Sequence, residues 1–314
     1  MIETFNATLS PMLVMFLCII IGFIAKKFSL APPDTAIALS RLENCFFVPA
    51  IIINTFMKYC TASSIKSEYK LIIYCGVVLA AALCISLPLS KLFVREGYGR
   101  NIYKYALTFG NFSFMGNAIV PAILGEEMLY RYMLYILPIN IAVYTWGLLI
   151  LIPHEKNGGS VLKNLFNPIF VSIIIGAALG LLNLTPYIPS FVAATISNCA
   201  ACMGPLAMIL TGFVIGGYDI PGLLSDKKVY VASGLRLIVL PALFMGLLYL
   251  LGADKTAIIL TLFAFGTPLG LNTVVFPAAY GGDTRPGASM AMISHTLCVV
   301  TIPLIYAAAA YLLK

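Results

Sequence analysis

Apolar runs of about twenty residues follow one another along this chain with only short polar interruptions. A run of that length crosses a bilayer core as a helix, because each backbone amide is then satisfied within the segment. The pattern predicts ten spans, at roughly 8–25, 35–57, 69–90, 101–124, 129–152, 167–184, 189–215, 227–251, 254–280 and 287–313. The connections leave no room for a soluble domain, so an all-α membrane protein is expected. Basic residues Lys26 and Lys27 follow the first run and none precedes it, so that run reads as a retained span rather than a cleaved signal.

Composition sharpens this picture. Hydrophobic residues make up 61% of the chain and charged residues 10%, against roughly 25% charged in an ordinary soluble domain. The net charge of +7 matters through its distribution, and no nucleic-acid partner is expected. Loops after odd-numbered spans hold twelve Lys and Arg and the other side holds six, which places both termini on the extracytoplasmic side of the cell membrane. The eight cysteines fall nearly all inside spans and read as small apolar residues. Cys199 and Cys202 have redox-motif spacing, but their apolar helical setting gives no disulfide, and no metal site is expected.

The two halves resemble each other. A shift of 156 residues superimposes Phe109-Gly110 on Phe265-Gly266, Pro121-Ala122 on Pro277-Ala278, Gly125 on Gly281 and Pro49 on Pro205. Two five-span repeats follow, 1–152 and 153–314. Five is odd, so the second copy enters from the opposite face and the repeats are inverted, as in alternating-access transporters.

Spans four and nine carry helix-breaking clusters at corresponding places: Gly110, Asn111, Ser113, Gly116, Asn117 and Pro121 in one, Gly266, Thr267, Pro268, Gly270, Asn272, Thr273 and Pro277 in the other. Two interrupted helices that cross near the midplane present half-helix N-termini to one another, which favours an anion. No acidic residue lies within spans three, four, nine or ten to offset that charge: Glu126, Glu127, Asp254 and Asp283 fall at span ends, and Glu43 sits in span two. The substrate-binding candidates are therefore Asn111, Ser113, Asn117, Thr267, Asn272 and Thr273. The plainer alternative is that these polar groups only satisfy backbone freed at the breaks. Arg236, in span eight, either adds positive charge near the site or snorkels to the surface. His295, in span ten, either relays a proton or packs as a satisfied histidine. Gly176 with Gly180 and Gly212 with Gly216 have the spacing for close helix contact, within the chain or across a dimer.

At these residues the chain resembles the auxin efflux carrier family, whose bacterial members include malate and malonate permeases. The marks are Phe109-Gly110-Asn111, Phe114-Met115-Gly116, the run 47–50, Asn167-Pro168, Gly204-Pro205-Leu206-Ala207, Gly212, Arg236, Pro241, Pro268, Asn272 and the sequence 280–283. The resemblance implies a scaffold of spans one, two, six and seven, a mobile domain of the other six, elevator-like movement and a homodimer. It also implies that Asn111 meets a substrate carboxylate. Ala118 stands where the family usually has proline, and His295 is outside the family pattern.

The expected function is secondary transport of a small carboxylate such as malate, malonate or an aromatic acid, with no cofactor and with H⁺ or Na⁺ as the coupling ions to consider. The alternative is Na⁺-coupled symport of a larger amphipathic anion such as a bile acid. An intramembrane hydrolase is disfavoured, because Ser294 and His295 are sequence neighbours whose side chains diverge on a helix.

Overall fold

The computed structural model describes residues 1–152, 167–280 and 283–313. Lys156, Lys163 and Lys314 of the charge count, and Gly281 and Gly282 of the family marks, lie outside the described residues. Everything described is helix or short connection, apart from one isolated β-bridge.

Among the described residues six helices are long and apolar enough to cross a membrane: α1 (Ile2–Lys27), α2 (Thr35–Tyr59), α3 (Ala62–Leu92), α9 (Ser190–Gly216), α10 (Lys227–Leu250) and α13 (Arg285–Leu312). A seventh crossing is formed by α6 (Glu126–Tyr135) and α7 (Leu137–Leu151) if they are taken as one span bent by 47°. Pro138 stands at the start of α7, where its missing amide costs no hydrogen bond. A shorter apolar helix, α8, covers Pro168–Leu181; the Asn167 side chain caps it by accepting from the amides of Ile169 and Phe170.

The expected fourth and ninth spans are each two short helices. One comprises α4 (Tyr98–Thr108) and α5 (Phe112–Leu124), the other α11 (Lys255–Phe265) and α12 (Asn272–Tyr280). The chain is non-helical at 109–111 and 266–271. Among the residues expected to break helices, Gly116, Pro121 and Pro277 stand inside continuous helix rather than at the interruptions. A proline withholds only one amide, and neighbouring helices hold the segment in helical form around it.

Outer faces of these helices are apolar and uncovered. On α1 alone, Leu13, Val14, Leu17, Ile20, Ile21 and Ile24 are exposed, a stripe that water would penalise and lipid does not. Inner faces pack closely. α1 lies along α9, and α2 packs on α8 and α9. Gly212 faces the Ile19 carbonyl and Gly22 faces the Ile209 carbonyl, so the two backbones touch reciprocally. Gly176 and Gly180 admit the α2 backbone at Ile53, Phe56 and Cys60 in the same way, and Gly216 faces Phe23. All four glycines of the predicted small-residue pairs thus serve contacts within the chain. Among the described residues the cysteines are free.

Four π-helical turns interrupt otherwise regular helices, at Glu43–Phe47, Phe112–Gly116, Val143–Gly147 and Leu235–Val239. Such turns insert one extra residue and re-aim the side chains around them. All four carry residues that reach the crossing, its cavity or the next residue along.

Candidate anion site at the helix crossing

The two interruptions meet. Gly110 and Leu269 form an antiparallel bridge, and the Asn111 amide donates to the Pro268 carbonyl at 2.7 Å. The approach demands glycine at 110: a Cβ there would lie 2.6 Å from both an Arg236 nitrogen and the Thr267 hydroxyl. Gly270 is less confined, since its Cβ would stand 3.3 Å from the Gly110 carbonyl oxygen.

Four helix ends converge here, and they are treated differently. The C-terminal ends of α4 and α11 expose carbonyls, which carry partial negative charge. Arg236, 0% exposed, covers them. Its Nη1 donates to the carbonyls of Leu107 and Thr108 at 3.3 and 3.2 Å, and its Nη2 approaches that of Ala264 at 3.5 Å. The guanidinium also lies 5.7 Å from the centre of the Phe265 ring, within cation–π range. Arg236 therefore neither snorkels nor points into open space: it neutralises carbonyl ends.

The N-terminal ends differ from each other. On α12 the amides of Thr273, Val274 and Val275 already bond to the carbonyls of Gly270 and Leu271. On α5 the amides of Phe112, Ser113 and Phe114 find no acceptor among the described residues. Three donors at one helix start, with the dipole behind them, form an anion cradle.

These three residues line a small closed cavity of about 20 Å³ together with Asn44, Asn111, Asn140, Tyr144 and Asn272. That volume holds about one water. Two further cavities continue from it. One of about 10 Å³ shares Ser113 and Asn140 and reaches Asn117. The next, about 380 Å³, runs from Asn117 past Asn54 to the exposed side chains of Lys58, Glu126 and Ser197. Asn117 is 2% exposed and its amide oxygen has no partner among the described residues.

The predicted site residues thus fall into three groups. Asn111, Ser113 and Asn272 share the crossing cavity, with Asn272 donating to the Tyr105 hydroxyl at 2.8 Å. Asn117 lies a turn deeper into α5 and faces the larger cavity. Thr267 and Thr273 turn back on their own chain: their hydroxyls donate to the carbonyls of Ala264 (3.3 Å) and Gly270 (2.8 Å). That arrangement is the backbone-satisfying alternative.

α13 braces both interruptions through adjacent residues. Ser294 Oγ accepts from the Leu269 amide at 2.9 Å and donates to the Met290 carbonyl at 2.6 Å. His295, 1% exposed, bonds through Nε2 to the Asn111 side-chain nitrogen at 3.1 Å and through Nδ1 to the Ala291 carbonyl at 2.7 Å. The serine hydroxyl and the imidazole are each engaged elsewhere.

Sequence reading did not single out Asn44, Asn140, Tyr144 or Tyr132. The Tyr132 hydroxyl reaches the carbonyls of Phe112 and Phe263 at 2.8 and 3.2 Å, joining α6 to both broken spans, and Gly116 leaves room for it. Asn140, two residues after Pro138 in an apolar span, was the one legible signal. Glu43 is fully buried with neither carboxylate oxygen partnered among the described residues; its neighbour Asn44 lines the crossing cavity and Glu43 does not.

A family model described as membrane transport protein matches residues 7–160 and 155–306. No curated protein matches the sequence.

Proposed function

From the premise that the chain belongs to the membrane transport protein family, of auxin efflux carrier type, we propose that it carries a small organic anion through the crossing of spans four and nine. One observation bears most of the weight: three unaccepted amides begin α5 beside Asn111, while Arg236 cancels the carbonyl ends opposite. No carboxylate is among the residues lining that cavity, so a carboxylate substrate supplies the missing negative charge.

In this reading the chain has ten spans arranged as two inverted repeats, 1–152 and 153–314. The scaffold consists of α1, α2, α8 and α9, and the remaining spans form the moving domain. The glycine contacts of α1 with α9 and of α2 with α8 support a rigid scaffold. The large cavity lies where that scaffold meets α5, a natural sliding boundary. A homodimer in the cell membrane with both termini outside completes the proposal; the cavity then opens outward at Lys58, whose charge attracts anions.

The test is uptake by purified protein in proteoliposomes. Malate, malonate or an aromatic acid saturates uptake, and Asn111→Ala lowers it at least about tenfold, as expected for losing one oriented donor at a developing anion contact. Wild-type activity in that variant removes the site assignment. Replacing Na⁺ by K⁺ leaves uptake intact in this proposal and collapses it in a Na⁺-coupled amphipathic-anion symporter.

A further inference from the structure

The bonds of His295 define a switch. A carbonyl oxygen only accepts, so the 2.7 Å contact from Nδ1 to the Ala291 carbonyl places a proton on Nδ1. In the neutral ring Nε2 is then an acceptor, and the group facing it is the Asn111 NH₂ at 3.1 Å. No other side-chain hydrogen bond of Asn111 forms among the described residues, and Asn111 lines the crossing cavity. With one N–H held by His295, the amide has one N–H and its oxygen left, and that oxygen is an acceptor that repels a carboxylate. When Nε2 gains a proton it becomes a donor, and only the Asn111 oxygen satisfies it. The amide must then turn over and present its NH₂ to the cavity.

We propose that His295 is the proton-binding residue of this carrier and that its protonation rotates the Asn111 amide, so that one proton and one carboxylate bind cooperatively at the crossing. His295 is a positioning residue here: it acts on substrate through Asn111. This rests on the anion-carrier reading above.

The surroundings set the sign of the coupling. Arg236, against Gly110, is the charged side chain at the crossing. His295 is 1% exposed and its ring bonds to Ala291 and Asn111, neither of them anionic, so a positive charge on it is costly. A bound carboxylate offsets that cost, so each ligand favours the other by the same factor. The other ionisable groups about the crossing are Tyr105, Tyr132 and Tyr144 from spans four and five and Cys298 one turn along α13, whose thiol donates to the His295 carbonyl at 3.1 Å. None of them changes charge near neutral pH in its unperturbed form. Glu43, beyond Asn44, is the remaining candidate and serves as the control.

The probe is benzoate, whose own ionisation is constant between about pH 5.5 and about pH 8, the range over which imidazole titrates. Its binding to purified wild type tightens at least about fivefold at the acid end, the lower edge of ordinary coupling. His295→Gln loses this dependence whatever its affinity at one pH, while Glu43→Gln keeps it. A second measurement needs no variant: a fraction of a proton, up to about 0.4 for fivefold coupling and nearer one only for much stronger coupling, is taken up per benzoate bound by wild type in this pH range, by the reciprocity of linkage. An unaltered pH dependence in His295→Gln, its loss in Glu43→Gln, or no proton uptake by wild type overturns the switch while leaving the carrier reading intact. Failure of wild type to bind benzoate, malate and malonate at every pH overturns the carrier reading instead.

Discussion

Without Arg236 two of the four helix ends at the crossing would lack compensation. Its fork geometry reaches carbonyls on both broken spans at once, which a lysine's point charge does not reproduce. Arg236→Met strands those carbonyls in a dry interior and is expected to destabilise the protein by about 1–3 kcal/mol, read as a lower melting temperature in detergent; Arg236→Lys falls between it and wild type. The residue scale is also where sequence reading reached least far. The Gly, Asn and Pro clusters at 109–121 and 266–277 announce interruptions, yet they do not say which polar groups turn inward. Thr267 and Thr273 had suitable chemistry and instead bond three residues back, a choice fixed by local backbone. Tyr132 reads as apolar in any pattern, although its hydroxyl ties α6 to both breaks.

At the scale of elements, the six helices long and apolar enough to cross a membrane among the described residues were legible, because hydrophobic run length depends on bilayer thickness and on little else. Register within a span was not. Each π-turn adds one residue to a helical turn, so side chains beyond Val143–Gly147 or Leu235–Val239 are rotated relative to ideal 3.6-residue periodicity. Tyr144 and Arg236 sit in such turns, and simple periodicity misplaces them. Helix contacts allow a sharper prediction. Gly212→Ala drives a methyl into the Ile19 carbonyl across the α1–α9 contact, whereas the space around Gly246 on α10 is open. The first is expected to cost about 1–3 kcal/mol and the second to stay within about 0.5 kcal/mol, compared side by side by thermal unfolding in the same micelles. Equal melting temperatures for the two variants would contradict the backbone contact described for α1 and α9.

For the whole molecule, three cavities follow one another from Lys58 to Asn272, wide at the surface and nearly closed at the crossing. In the proposed orientation the wide end faces outside the cell. In a variant with the eight native cysteines replaced, Ser197→Cys is therefore expected to react with a membrane-impermeant thiol reagent added to intact cells, and a transported carboxylate slows that reaction. Labelling only from the cytoplasmic side reverses the assigned orientation. The crossing itself has a consequence for how such a protein diversifies. Its central fastening, from the Asn111 amide to the Pro268 carbonyl, belongs to the main chain, so exchanging side chains that only line the cavity leaves it untouched. Asn44, Asn140 and Tyr144, which surround the cavity without holding the fastening, are thus free to vary, and related carriers can exchange one cargo for another while inheriting the same framework.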